Sequence, residues 1–381
     1  MYQLILRRSF PVILFFFSAN LLQAQVGLKL KFGNSTVYTG IEVGSKGVKM
    51  SMVEIGKNAQ QNGSFNILKD TSVNTDFISF TDATFAATLR ELYSLYETAQ
   101  HTYNIPAKRI YTAISSGVKM QAEKDNKNSW ITKLINSFRM KINDAGKEVA
   151  VIDVLQEAML SHLGIVPEAR RYTTFLIDIG SGNTKGGYFP NGNTKDFYLF
   201  QLNWGTKSTA NAAEKKLEED KSLANYNRQL VRVLAGAENS EIIYAVNSSG
   251  AYPMSDYIAF SGGIAWATAT LMHPELIDNS VIPVTFEEVQ KFSEKILKDH
   301  ASLSETNLAK LTTDEYEKNA ITKAVKTVHG VFDQKSLMAG TGLLLKIMRQ
   351  FASIYEAKQF YLVKNGQVGW ISAYVDKNIS K

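Results

Sequence analysis

The chain has 381 residues, a formal charge of +6, 45% hydrophobic and 20% charged residues, 7 prolines and no cysteine. These values exclude a disulfide scaffold, thiolate chemistry and cysteine zinc sites, and they argue against extended disorder. The length fits two domains or one large two-lobed one. The mild positive charge, without a basic run or an RNP-like aromatic pattern, suits a small polyanion better than nucleic acid.

The chain opens with Arg7 and Arg8, then the apolar stretch SFPVILFFFSANLL, then QAQ. A basic start, a short apolar run and a small residue near its exit describe a secretory signal peptide over residues 1–24, cleaved after Ala24. A membrane anchor is the alternative, but the run is shorter than the roughly 20 residues a span needs. Removing the leader takes away two arginines and no acid, leaving +4. A periplasmic or secreted location is expected, with no stable membrane span after cleavage.

The segment STVYTGIEVGSKGVKMSMVEIG alternates and is rich in β-formers, so it reads as two strands around a turn from Gly44 to Gly47. NGSFNILKDTSVN reads as another strand. DATFAATLRELYSLYETAQHTYNI has helical spacing, with Asp82 as its cap. KRIYTAISSGVKM reads as a strand entering a Ser/Gly turn, SWITKLINSFRMKI as a short amphipathic helix, and KEVAVIDVLQEAMLSHLGIV as strand then helix. IDIGSGNTKGGYF repeats the strand–turn–strand pattern, and NTKDFYLFQLNWGTKS adds a strand. From Thr209 to about Ala237 the chain reads as mostly helical. SEIIYAV reads as a strand, and SDYIAFSGGIAWATATLM as strand, Gly-rich turn and helix. From Pro283 helices dominate, SLMAGTGLLLKIMRQFASIY among them. KQFYLVKNGQVGWISAYV is a hairpin or a strand and short helix. The alternation of strands and helices says α/β.

Ile41-Glu42-Val43-Gly44-Ser45 matches Ile177-Asp178-Ile179-Gly180-Ser181, and a lysine, Lys49 or Lys185, follows each carboxylate by seven residues. A domain-scale repeat suggests two related α/β lobes, 25–165 and 166–381, the second carrying a helical insertion. Chance reuse of common turn residues is the alternative. Gly and Ser in such turns let backbone N–H groups converge on phosphate oxygens. A carboxylate beside them can hold Mg²⁺ through water or position an attacking water. Taken singly, each lysine reads as solvent-exposed, and so does Glu157. Gly262 and Gly263 open a helix, a natural anion site.

No Walker loop and no dinucleotide fingerprint is present. The 5 histidines show no His-x-x-x-His spacing, and no Gly-x-Ser-x-Gly elbow surrounds Ser115 and Ser116. Trp204, Trp266 and Tyr188 read as packed aromatics, with base stacking as the alternative.

The order of these turns resembles the actin-like ATPase superfamily. More narrowly, it resembles the exopolyphosphatase and guanosine pentaphosphate phosphohydrolase (Ppx/GppA) family. IEVGSKGVKMSMVEI is similar to that family's first phosphate motif, FLIDIGSGNTKGGYF to its second, VIDVLQEAMLSHLGI to its Glu-Glu-Ala-Arg helix, and AFSGGIAWATATL to its Gly-Gly-Thr segment. The likeness runs in order over most of Tyr38 to Val375. It implies two ribonuclease H-like lobes, with mixed sheets flanked by helices and a cleft between them. It also implies hydrolysis of a terminal phosphoanhydride of polyphosphate or another phosphorylated small molecule. Glu157 would be the general base, and Glu42 and Asp178 would hold Mg²⁺. Gly44, Ser45, Lys49, Gly180, Ser181, Gly182, Asn183, Lys185, Gly262 and Gly263 would cradle phosphates.

The chain departs from the family pattern at Glu42 for Asp, Lys49 for Arg, Met159 for Arg and Lys185 for Glu. The last reverses a charge. A non-catalytic anion- or nucleotide-binding relative is therefore the alternative, and an actin-like ATPase or sugar kinase-like enzyme the second. No nucleic-acid partner is expected, and a homodimer is compatible with the reading.

Overall fold

The computed structural model describes residues 28–57, 65–251, 255–352, 357–364 and 369–379. The signal peptide read at residues 1–24 lies outside the described residues. Among the described residues no helix is long and apolar enough to cross a membrane.

Two mixed sheets organise the chain. The first holds β1 (Thr36–Val43), β2 (Gly47–Ile55), β3 (Phe65–Asn74), β4 (Ile110–Ile114) and β5 (Val149–Val151), in the spatial order β3-β2-β1-β4-β5. β1, β2 and β3 form an antiparallel meander, β4 lies parallel to β1, and β5 parallel to β4. The second sheet holds β6 (Thr174–Ile179), β7 (Thr184–Tyr188), β8 (Tyr198–Leu202), β9 (Tyr257–Ser261), β10 (Val281–Val284) and β11 (Gln359–Val363), ordered β10-β11-β9-β6-β7-β8. Again a meander, β6 to β8, is joined by parallel β9 and β11, and β10 adds an antiparallel edge. Each copy of the sequence repeat thus starts the same strand arrangement. That shared topology favours duplication over chance reuse of turn residues.

The helices are α1 (Asp82–Glu97), α2 (Ser116–Lys124), α3 (Asn128–Lys141), α4 (Val154–Ile165), α5 (Thr206–Glu214), α6 (Leu223–Ala237), α7 (Ile243–Ser248), α8 (Gly263–Met272), α9 (Phe286–Lys298), α10 (Glu305–Leu308), α11 (Glu315–Val331), α12 (Gln334–Ala352) and α13 (Gly369–Ile379). Strand alternation sorts the side chains of β1 and β6 onto two faces. On the outer faces, Ile41 and Val43 pack with Phe85, Leu92, Leu134 and Phe138, and Phe175, Ile177 and Ile179 pack with Tyr226, Leu230, Leu343 and Ile347. Each such fully buried side chain contributes roughly 1.5–3 kcal/mol.

The inner faces carry Glu42 and Asp178, and they are covered by α13 and α4. Helix α13 packs on β1 and β2, and Trp370 and Ile371 join Ala113, Ile152 and Leu160 in one cluster. Helix α4 packs on β7 and closely against α13. The crossing is tight. A Cβ on Gly164 would stand 1.9 Å from the Gly369 carbonyl oxygen, one on Gly369 2.3 Å from Ile165 Cγ1, and one on Gly40 2.3 Å from Ile371 Cγ1. The helix that ends the first half of the chain therefore lies on the second sheet, and the last helix returns to the first.

Local readings change in three places. Thr81, not Asp82, caps α1: its hydroxyl accepts the Thr84 N–H, and Asp82 is a first-turn acid favoured by the helix dipole. The Ser115–Ser116 turn opens α2 directly. SEIIYAV is helical, because Ile242 and Val246, four residues apart, are both fully buried. Spacing there outweighs β-rich composition.

Candidate functional site

Both repeated turns close in the same way. The Gly44 N–H donates to the Gly47 carbonyl at 2.8 Å, and the Gly180 N–H donates to the Asn183 carbonyl at 3.0 Å. Register then sets Glu42 directly opposite Lys49 and Asp178 directly opposite Lys185. Directly opposed residues share a face, with Cβ atoms roughly 4.5–5.5 Å apart. The seven-residue spacing in the sequence is thus a cross-strand pair, repeated in both lobes and turned to the inner face.

In the second hairpin, the Lys185 ammonium lies 3.0 Å from Glu157 Oε1 and 3.4 Å from Asp178 Oδ2. Lys185 is only 7% exposed and Glu157 only 3%. The surface positions expected for both are corrected: α4 lies over β7 and brings Glu157 down onto the lysine. The remaining carboxylate oxygens are also engaged. The Ser116 N–H, at the start of α2, donates to Glu157 Oε2 at 2.7 Å, and the Ser261 hydroxyl donates to Asp178 Oδ1 at 2.9 Å. Burial by itself would raise the Glu157 carboxyl, but the Lys185 ammonium and the Ser116 donor more than offset it and hold it below its ordinary value. Burial would likewise lower Lys185, and its carboxylate partners, Glu157 first, raise it instead.

Glu42 differs. Burial raises its carboxyl most, Lys49 opposes, Glu157 adds to the rise, and the group ends at about 7. The Trp370 indole of α13 opposes the rise slightly. At the cleft mouth, desolvation first, and then the ammonium groups of Lys207 and Lys49, push Lys46 below its ordinary value. Lys46 comes from the first turn and Lys207 from the start of α5, so positive charge meets across the cleft.

The turn residues sort into two groups. Ser45 reaches over α2: a Cβ on Gly117 would stand 2.9 Å from its hydroxyl. Asn183 Nδ2 lies 3.9 Å from Met120 Sδ on the same helix, so the second turn touches the first lobe. Gly262, at φ +92°, presses against the end of β6, where a Cβ would stand 2.3 Å from the Ile179 carbonyl oxygen and 3.0 Å from Asp178 Oδ1. Gly180 and Ser181 turn their carbonyls to α5, accepting from the N–H groups of Thr206 at 2.9 Å and Lys207 at 2.8 Å. The α5 N-terminus is thereby filled by protein. Gly182 is exposed, with open space around it. Gly263 starts α8, and a Cβ there would meet Phe332 at 3.2 Å. The structure therefore brings Glu42, Lys49, Glu157, Asp178, Lys185 and Gly262 together. Met159 instead lines a shallow groove of about 520 Å³ with Gln156, Phe197 and Tyr198. Trp204 and Trp266 pack against the second-lobe core, and Tyr188 is buried within it.

No protein-family model matches the chain, and no curated protein matches it by sequence. Solved structures do. A Ppx/GppA family member from Aquifex aeolicus is 14% identical over 91% of this chain and 98% of its own, with a TM-score of 0.59. An exopolyphosphatase-like protein is 15% identical over 90% of this chain and 98% of its own, with a TM-score of 0.55. An exopolyphosphatase from Cytophaga hutchinsonii is 12% identical over 90% and 98%, with a TM-score of 0.52. The fold is that of the Ppx/GppA exopolyphosphatases.

The Mg²⁺ that the resemblance implies is not matched by these residues. Among the described residues no group of three Asp, Glu or His side chains could hold a metal ion. Asp178, expected as a ligand, has one oxygen on the Lys185 ammonium and the other on the Ser261 hydroxyl. Three contributors went unread in the sequence: Ser116 through its backbone, Ser261 and Trp370. Ser261 stands beside Asp178 in the parallel β6–β9 register, and its position directly before Gly262 was the available signal.

Proposed function

We propose that the cleft takes the terminal phosphate of polyphosphate or a similarly phosphorylated small molecule and that Glu157 directs the water that cleaves its anhydride bond. The observation that carries this reading is the convergence of Glu157, Asp178 and Lys185 between the two hairpin turns. Lys185 offers buried positive charge to phosphoryl oxygens, and Lys46, Lys49 and Lys207 extend that charge to the mouth. Glu157, held ionised, accepts the proton as the water oxygen bonds to phosphorus and the bridging P–O bond breaks. The leader at residues 1–24 would carry the chain out of the cytoplasm, away from ATP, which disfavours the kinase-like alternative.

The test is phosphate release from polyphosphate by the mature chain. Glu157→Gln should lower the rate by roughly 10²–10⁴, the usual effect of losing a general base. Background release by the wild type would sink hydrolysis. A second reading, binding without cleavage, is favoured by one observation: both Glu157 oxygens already have partners, and its lowered carboxyl is a weak base. Calorimetric binding of polyphosphate without release selects that reading, and no binding removes both.

A further inference from the structure

We infer that Lys185 is a built-in cation that fills the place a divalent metal would need in this cleft, so that the protein handles its phosphorylated ligand without a bound metal. The inference rests on the phosphate-binding reading above for its ligand, but not for its geometry. A metal shared by Glu157 and Asp178 would need their inward oxygens at roughly 2.0–2.6 Å. Those two oxygens instead flank one ammonium, at 3.0 and 3.4 Å. The outward oxygens are bound by the Ser116 N–H at 2.7 Å and the Ser261 hydroxyl at 2.9 Å. All four oxygens of the pair therefore have protein donors, and one positive charge balances the two carboxylates in part.

A second cation between the same oxygens would stand within a few ångströms of the ammonium, in a site shielded from water, where like charges repel strongly. The lysine cannot readily swing aside either. It is 7% exposed and rises from the second residue pair beyond the turn of a hairpin whose partner strand supplies Asp178 and whose covering helix supplies Glu157. The cross-strand position is the deciding feature. An acid at 185, opposite Asp178 and below Glu157, would complete three converging carboxylates; a lysine there closes them with its own charge. The same position in the first hairpin, Lys49, stands across from Glu42 and is half-buried, so the closure belongs to the second lobe.

The experiment titrates Mn²⁺ into the full mature chain and follows uptake by electron paramagnetic resonance. The wild type should take up no stoichiometric Mn²⁺ at millimolar concentration, and Lys185→Glu should gain one ion per chain, lost again when Asp178→Asn is added. Stoichiometric uptake by the wild type that Asp178→Asn removes would overturn the inference. So would a folded Lys185→Glu chain that binds none. Should Lys185→Glu fail to fold, the wild-type titration decides alone. Polyphosphate binding to the wild type, measured by calorimetry with and without EDTA, should be the same in both. A strict EDTA sensitivity would count against the inference. Absence of polyphosphate binding in either buffer would remove the functional reading and leave the outcome of the Mn²⁺ titration intact.

Discussion

In the first hairpin, Lys49 stands half-buried across from Glu42, and the carboxyl of that glutamate ends near neutrality. In the second, the same cross-strand lysine is buried, touches two carboxylates, and holds Glu157 firmly ionised. The turns, the spacing and the strand order are shared. What differs is the helix laid over each pair. Helix α4 brings a carboxylate to Lys185, whereas Glu42 is raised mainly by burial, with Glu157 adding to the rise and Lys49 and Trp370 of α13 opposing it. A repeated pattern thus acquires two electrostatic states from its surroundings, burial around Glu42 and a carboxylate beside Lys185, not from the hairpin itself.

The largest expected effect comes from Lys185→Met, which keeps the stem and removes the charge. It leaves Glu157 and Asp178 close together and uncompensated, and breaking a buried pair in this way costs about 3–5 kcal/mol. Urea unfolding at neutral pH measures it. A loss under about 1 kcal/mol, the range of exposed ion pairs, would mean that water reaches the cluster and that the two hairpins are electrostatically alike.

Next in size is a pH effect specific to the first hairpin. Glu42 moves from an ordinary 4.5 to about 7 in the folded chain, so between those values the folded state keeps a proton that the unfolded chain has released. Stability contributed by that proton is complete below about 4.5 and is lost as pH rises through about 7. Glu157 has the opposite sign: its lowered carboxyl contributes stability above its unfolded value, lost as pH falls through the folded one. Glu42→Gln should flatten the fall between pH 4.5 and 7 and make the variant more stable than wild type at pH 8. The gain should be up to about 3 kcal/mol, since each tenfold change in proton affinity is worth ~1.4 kcal/mol. An unchanged slope would place that proton elsewhere.

Much of this arrangement was legible in the sequence. Strand alternation and Gly-rich turns are short-range patterns, and together with the 136-residue offset between Glu42 and Asp178 they located both hairpins and the shared topology. Both lysines were visible as spacing, but the burial of Lys185 was not, because it depends on α4 packing over β7. Ser261 reaches Asp178 only through the β6–β9 pairing, and Trp370 reaches Glu42 only because the last helix returns to the first sheet. No local period records such long-range neighbours. The metal assignment does not fit for the same reason. The charge among the carboxylates depends on where one lysine points.

The smallest predicted effect is the most direct check on the difference between the lobes. Lys49→Met removes the cation across from Glu42, but Glu42 can answer by holding its proton more tightly, so no buried charge is stranded. The loss at pH 7 should stay under about 1 kcal/mol. It should shrink further in high salt, since screening acts on pairs open to solvent at distances of about 8–10 Å near physiological ionic strength. The same substitution should move the Glu42 titration upward, read as a displacement of the stability slope that Glu42→Gln abolishes. A salt-insensitive loss matching that of Lys185→Met would show that Lys49 is bound as tightly as its counterpart. The contrast between a hairpin that buffers a proton and one that locks an ion pair would then be gone.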